Sequence, residues 1–183
     1  MDREEVLDSI KANVENQSLI KHMLATEAVM KALARKFNED EEEWGLVGLM
    51  HDIDVELTEE EPESHGKLGA ELAKELGASE AMSHAILCHN ETHGIPCHSL
   101  LDKALSCTDP LTGLITAAAL VCSDKRLGGL TTDSLKKRFK ERRFAAGVNR
   151  ERIALCQGIG LELEDFLALG LDAMKGITSE LGL

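Results

Sequence analysis

Apolar residues recur at three- and four-residue spacing along almost all of the 183-residue chain, and alternating runs of β-branched and aromatic residues are missing. The pattern predicts an all-α protein. A first helix is expected over 2–14, with Val6, Leu7 and Ile10 inward, and a long second one over 17–37 with Leu19, Ile20, Met23, Leu24, Ala28, Met30 and Leu33 on its apolar face. The acidic stretch NEDEEEW opens a third helix, its carboxylates suited to the positive end of the helix dipole. That helix carries Leu46, Val47, Leu49 and Met50 directly into His51 and Asp52.

LTEEEPES then reads as a polar loop, and HGKLGAELAKELG as a helix closed by Gly77. A further helix starts near Ser79 and breaks at THGIP. SLLDKALSCTD and LTGLITAAALVCS form a helix pair separated at Pro110, whose ring either kinks a helix or begins a new one. GGLTTD is a loop. Beyond it lie a basic helix over 133–144, a short one from about Asn149 and an amphipathic last helix over 162–181. The expectation is one helical bundle, residues 1–125 forming its main body and 126–183 packing on that body.

Composition supports this reading: Tyr is absent, Phe and Trp together number five, and 43% of residues are hydrophobic, enough for one buried core. No apolar run reaches the length of a membrane span, and the opening MDREEVLDSIKAN is charged and amphipathic, so a cytoplasmic protein is expected. Five widely spread cysteines without a CxxC pair fit a reducing compartment. The pairs Cys88-His89 and Cys97-His98 lie farther apart than the ligand pairs of structural zinc sites, and His84 reads as structural. A net charge of −13 argues against a nucleic acid polymer as partner. Residues 125–152 nevertheless hold ten Lys and Arg against three carboxylates, a local +7 that is either a solvated face or a surface for an anionic substrate or partner.

The sequence GLMHDID, residues 48–54, sets the chemical question. An apolar run that ends on a histidine and two carboxylates implies something there to meet them, because a buried carboxylate must be paired or coordinate a cation. His22, His51-Asp52, His65, His89 and Asp109 lie on or at the ends of different expected helices, so a bundle can gather them. Adjacent helical residues point about 100° apart, so His51 and Asp52 share a site only at a helix end, where the sequence places them.

The ordered set His22, His51-Asp52, Asp109 resembles the H...HD...D signature of the HD superfamily of metal-dependent phosphohydrolases. HDID at 51–54 is similar to the HDIG variant, HGKLGAEL from His65 to the histidine-led helix that follows it in two-metal members, AILCHNETHG to the AI..HHE..DG segment, and KALSCTDPLTGLI to the closing segment that supplies the last aspartate. The resemblance spans about residues 17–125. Asp54 stands where the variant has glycine, Asn90 replaces the second histidine of HHE, and neither the lysine nor the GYP motif of cyclic-dinucleotide phosphodiesterases is present.

The resemblance implies an all-α fold and one or two divalent ions of the Mn, Fe, Co, Ni or Zn kind. His22, His51, Asp52 and Asp109 would hold the first ion, and His65 and His89 would extend the site to a second through Asp52. It implies hydrolysis of a phosphomonoester or phosphodiester, a small nucleotide being the expected substrate, by metal-activated water. Catalytic candidates are Asp52, with Glu91 to orient water or an imidazole and Lys103 to bind phosphate; either of the last two also reads as a solvated side chain. Lys125 has the same two readings. The rival expectation is a noncatalytic ligand- or metal-binding regulatory domain, and the amphipathic last helix offers a surface for a homodimer.

Overall fold

The computed structural model describes all residues, Met1–Leu183, as ten α-helices without strands. They are α1 Arg3–Asn13, α2 Gln17–Phe37, α3 Glu41–Met50, α4 Lys67–Glu75, α5 Glu80–His89, α6 Leu100–Leu120, α7 Thr132–Lys140, α8 Arg150–Ala154, α9 Leu163–Lys175 and α10 Thr178–Leu181. Short 3-10 turns lie at Pro62–Ser64, Glu91–His93 and Leu155–Ile159. No helix is long and apolar enough to cross a membrane.

The boundaries follow local chemistry. Asp2, Asn16, Asp40, Ser79 and Asn149 each turn a side-chain oxygen onto a backbone N–H of the first turn that follows, satisfying a donor that the helix itself leaves unpaired. Ser99 and Asp102 form a reciprocal capping box at the start of α6. Asn38 ends α2 in the left-handed conformation, at φ 59°.

α2 is the axis of the bundle, packed by α3, α6 and α9, while α5 lies between α4 and α6. One continuous hydrophobic core runs from Val6 to Leu181 and includes Phe166, Leu167, Leu171 and Met174 of α9. Beside it, the nearly buried Glu27 carboxylate is met by Arg3 at 2.6 and 2.7 Å and by Lys31 at 2.7 Å.

Three expectations need revision. The pair expected around Pro110 is a single helix, α6, with the proline inside it. A proline there removes one helical hydrogen bond and costs about 3 kcal/mol. Burial of Leu101 and Leu105 before it and of Leu111, Leu114 and Ile115 after it, all in one core, outweighs that cost. The basic helix stops at Lys140, and 141–149 are turns gathered around Arg150, whose guanidinium donates to the carbonyls of Phe139, Glu141, Phe144, Ala145 and Val148. The last helix divides at Gly176 and Ile177 into α9 and α10.

The contact that positions the site is between backbones. A Cβ built on Gly48 would lie 2.9 Å from the Thr26 carbonyl and the Glu27 nitrogen, so α3 rests on α2 with nothing between them. Gly48 is three residues before His51, and Thr26 is four after His22.

Alanine in place of glycine inside a helix normally stabilises by about 1 kcal/mol. Gly48→Ala is expected to do the reverse and destabilise by about 1–3 kcal/mol, since backbone must move to admit the methyl group. Gly113→Ala on α6, where the new Cβ would meet Val148 at an ordinary 3.7 Å, is the control and should not destabilise. Urea denaturation of the two variants checks the pair; equal effects would contradict the close-approach account.

Candidate metal centre

Four imidazoles and two carboxylates converge where the ends of α3 and α5 meet the second turn of α2 and the middle of α6. His22 comes from α2, His51 caps the end of α3, His65 lies just before α4, His89 ends α5 and Asp109 lies within α6. Asp52, in the turn after α3, stands among them. Its Oδ2 is 3.3 Å from His51 Nε2 and 3.6 Å from His22 Nε2, while its Oδ1 is 3.3 Å from His65 Nε2 and 3.4 Å from His89 Nε2. Asp109 Oδ1 joins the first half at 3.2 Å from His22 Nε2 and 3.9 Å from His51 Nε2. Within each half the two Nε2 atoms are 3.2 Å apart.

Every one of these rings has its other nitrogen engaged. His51 Nδ1 donates to the Gly48 carbonyl at 2.9 Å, and His89 Nδ1 donates to the Ile86 carbonyl, so both rings are pinned three residues back on the helix they end. His65 Nδ1 donates to Asp54 Oδ1 at 2.9 Å. Thr112 Oγ1 accepts from His22 Nδ1 at 3.1 Å and donates to the Asp109 carbonyl at 2.9 Å. With Nδ1 engaged, each Nε2 is directed inward, the nitrogen that can bind a cation once it gives up any proton it carries.

Asp54 is fully buried and accepts, besides His65, the backbone N–H groups of Gly66 and Gly69 at 2.8 Å each. A Cβ on Gly69 would lie 3.1 Å from that carboxylate, and Gly66 adopts φ +86° where α4 crosses the end of α5. Asn90, in place of a histidine, donates Nδ2 to the His65 carbonyl at 3.0 Å, and His93 Nε2 donates to the same oxygen at 2.7 Å. The residues that depart from the family pattern therefore hold His65 in place.

The electrostatics are those of a site prepared for positive charge. Burial by itself would depress the His51 imidazolium, yet Asp52 and Asp109 carry its pKa up to about 9. Burial likewise opposes the His65 imidazolium, while Asp52 and Asp54 raise it to about 10. Burial would lift the Asp52 carboxyl, but His51, His65 and His89 hold it well below the usual carboxylate range. Asp109, also against burial, is drawn down to about 2 by its hydrogen bond to His22 and the charges of His22 and His51.

The structure brings together all six residues considered as metal ligands; three other candidates stand apart. Lys103 is on the exposed face of α6 and forms no ion pair or side-chain hydrogen bond. Six residues at 100° per residue separate its direction from that of Asp109 by about 120° in one continuous helix. Glu91 is exposed, its carboxylate 3.3 Å from Asn149 Nδ2. Lys125 is exposed in the loop after α6. Thr112 and Thr26, whose hydroxyl donates to the His22 carbonyl at 3.0 Å, escaped the sequence reading because threonines in helices carry no signal of what they will touch.

An all-helical bundle in which two imidazole pairs share one carboxylate is a frame for divalent metal. The sequence model of the HD domain matches residues 19–121, more than half of the chain, and the chain belongs to this family. Curated relatives include proteins named Ribonuclease Y. The one from Lawsonia intracellularis is 31% identical over 104 residues, 57% of this chain and 20% of its own length, and the one from Oleidesulfovibrio alaskensis is 30% identical over 98 residues, 54% and 18%. The one from Geobacter sulfurreducens is 26% identical over 169 residues, 91% and 32%. The chain thus spans a third or less of the length of these relatives. No solved structure matches it.

The raised imidazole pKa values predict how stability depends on pH without metal. A group bound more tightly to its proton in the folded state contributes stability that is complete below its ordinary pKa of 6.5 and is lost as pH rises through the folded value. The melting temperature of the metal-free protein should therefore fall between about pH 7 and pH 10. Metal-loaded protein should lack this decline because the cation replaces the protons. Calorimetry across that range checks both forms, and parallel curves would contradict the assignment.

Proposed function

We propose that this protein is a metal-dependent phosphohydrolase acting on a phosphomonoester or phosphodiester, most simply a small nucleotide. The observation that carries the reading is the placing of the two Asp52 oxygens, one toward the His22–His51 pair and the other toward the His65–His89 pair. The all-N/O donor set fits Mn, Fe, Co, Ni or Zn better than an all-oxygen calcium cage. When bound, such ions supply Lewis acidity and lower the pKa of water near neutral pH, and they neutralise phosphoryl oxygens.

The residues of the chain have the remaining tasks. His22, His51, Asp52 and Asp109 would hold a first ion and His65 and His89 would hold a second, Asp52 lying between the two pairs. Thr112, Gly48, Asp54 and Ile86 orient the imidazoles through Nδ1. The site opens to substrate along its His22, His65 and Asp109 side, where those side chains remain 21–27% exposed. A cleft beside His22 is lined by Lys21, Gly113 and Thr116 and supplies a cation and a hydroxyl for a phosphate-bearing substrate.

A second reading, RNA as substrate, is favoured by likeness to proteins named Ribonuclease Y and by the +7 balance of residues 125–152. That segment is only partly available, since Arg150 is occupied by carbonyls, Arg152 donates to Ser106 and Lys136 pairs with Glu164. The small-nucleotide reading is therefore preferred.

Wild-type protein should hold about two divalent ions per chain and release phosphate or nucleoside monophosphate from a nucleotide panel, with rates that follow metal loading. Asp52→Ala should lose both the ions and turnover. Asp54→Asn, which weakens the support of His65, should lower metal affinity roughly 10–100-fold. Turnover confined to RNA oligonucleotides would select the second reading. Full metal occupancy without turnover on any of these substrates would leave a noncatalytic regulatory domain, and undiminished activity in Asp52→Ala would refute the proposal.

A further inference from the structure

On the far side of α5 from the HD centre lies a second convergence of ligating side chains. His84 Nδ1, Cys88 Sγ and a carboxylate oxygen of Asp102 lie within 4.8 Å of one another, His84 and Asp102 being only 3.0 Å apart. His84 and Cys88 are four residues apart and therefore share one face of α5. Cys97, in the loop leading to α6, places its Sγ 3.2 Å from Cys88 Sγ. The four side chains join three segments: the last turns of α5, the loop after the Glu91–His93 turn and the first turn of α6.

Helix capping accounts for only half of Asp102. Its Oδ2 accepts from the backbone N–H groups of His98 and Ser99 at 2.9 and 3.0 Å and from His84 Nδ1. Its Oδ1 accepts from nothing, although the side chain is only 2% exposed. A buried carboxylate oxygen without a partner is costly, and a cation is one of the few things that satisfies it without another donor.

We propose that His84, Cys88, Cys97 and Asp102 form a structural site for a zinc-type ion, separate from the HD centre. The ion fastens the end of α5 and the 94–98 loop to the start of α6. Two sulfurs, one imidazole and one carboxylate are a tetrahedral donor set for zinc, with bonds of about 2.3 Å to sulfur and 2.0–2.2 Å to nitrogen and oxygen. Tetrahedral bonds of those lengths separate two sulfurs by about 3.8 Å and nitrogen from oxygen by about 3.3 Å, near the 3.2 Å between the Cys88 and Cys97 sulfurs and the 3.0 Å between His84 Nδ1 and Asp102 Oδ2, while closure also requires the Cys97 side chain to turn toward His84 and Asp102. Binding replaces the His84–Asp102 hydrogen bond and releases the thiol protons to solvent. Two thiolates and a carboxylate leave one net negative charge around a divalent ion, and Arg152 lies nearby, donating at 2.7 Å to Ser106 Oγ, which is itself beside Cys97.

The sequence spacing of Cys88-His89 and Cys97-His98 argued against a site made from those two pairs, and in the fold His89 faces the HD centre while His98 is exposed. The donors that complete the set are His84, one helical turn earlier, and Asp102, whose backbone role in capping concealed it. Since Cys88 and His89 are neighbours at the end of α5, filling this site also fixes the helix end from which His89 reaches Asp52.

Cobalt(II) loading of the full chain under reducing conditions separates the two sites. Thiolate bound to cobalt gives a sulfur-to-metal charge-transfer band in the near ultraviolet, and the N/O ligands of the HD centre give none. The band and about one cobalt per chain should persist in the His51→Ala, Asp52→Ala double variant and disappear in Cys97→Ala, a partly buried loop position outside every helix. Asp102→Asn, which retains the capping geometry, should weaken the band. In wild-type protein, zinc should slow alkylation of Cys97 roughly tenfold or more, in a manner reversed by chelator. Absence of the band from reduced wild-type protein would overturn the proposal. So would a band unchanged in Cys97→Ala, or a Cys88–Cys97 disulfide as the stable state under those conditions.

Discussion

The arrangement of the bundle depends on one carboxylate, that of Asp52. Four Nε2 atoms lie 3.3–3.6 Å from its two oxygens, two on each side, in a site where burial makes uncompensated charge expensive. The raised pKa values of His51 and His65 place compensating protons beside it, a task that a bound cation would take over. Either way, four separate chain segments must come within a few ångströms of a single side chain. Asp52 meets this demand by leaving the helix immediately after α3, where the chain no longer has to follow helical geometry.

Precision comes from the backbone. Two of the histidines end helices and are pinned to carbonyls three residues earlier, so their orientation is part of the helix terminus itself. A third is set by Asp54, which also gathers the N–H groups that start α4, and the fourth by a threonine one turn from Asp109. The orientations of the imidazole rings are thereby fixed before any ligand arrives, so that a metal would displace protons from Nε2 with little movement of the rings.

The six side chains that cluster were legible through the ordered histidines and aspartates that resemble the HD signature, each on or at the end of a different expected helix. HDID closes a run of buried residues, and Asp109 sits inside a helix whose other turns carry a run of buried leucines. Helix positions were legible from periodicity and capping. What escaped depends on residues distant in sequence. The single helix through Pro110 reflects burial on both sides of it, which no local rule weighs. The gathering of 141–149 by Arg150 depends on carbonyls that only the folded chain presents. Thr112 acquires its role from His22, ninety positions earlier, and Gly48 acquires its own from the backbone of α2. The pairing of His84 with Asp102 likewise requires α5 and α6 to be already docked.

The close approach at Gly48 bears on how this protein tolerates change. Because the spacing of the first two histidines is set by main chain against main chain, it is largely independent of which aliphatic side chains fill the surrounding core. Leucines, methionines and valines there can exchange with compensating adjustments while the distance between α2 and α3 stays constant. Mutational drift is thus uncoupled from the chemistry at all but a few small residues, and a library that randomised the core while retaining Gly48, Gly66 and Gly69 would be rich in members with an intact centre.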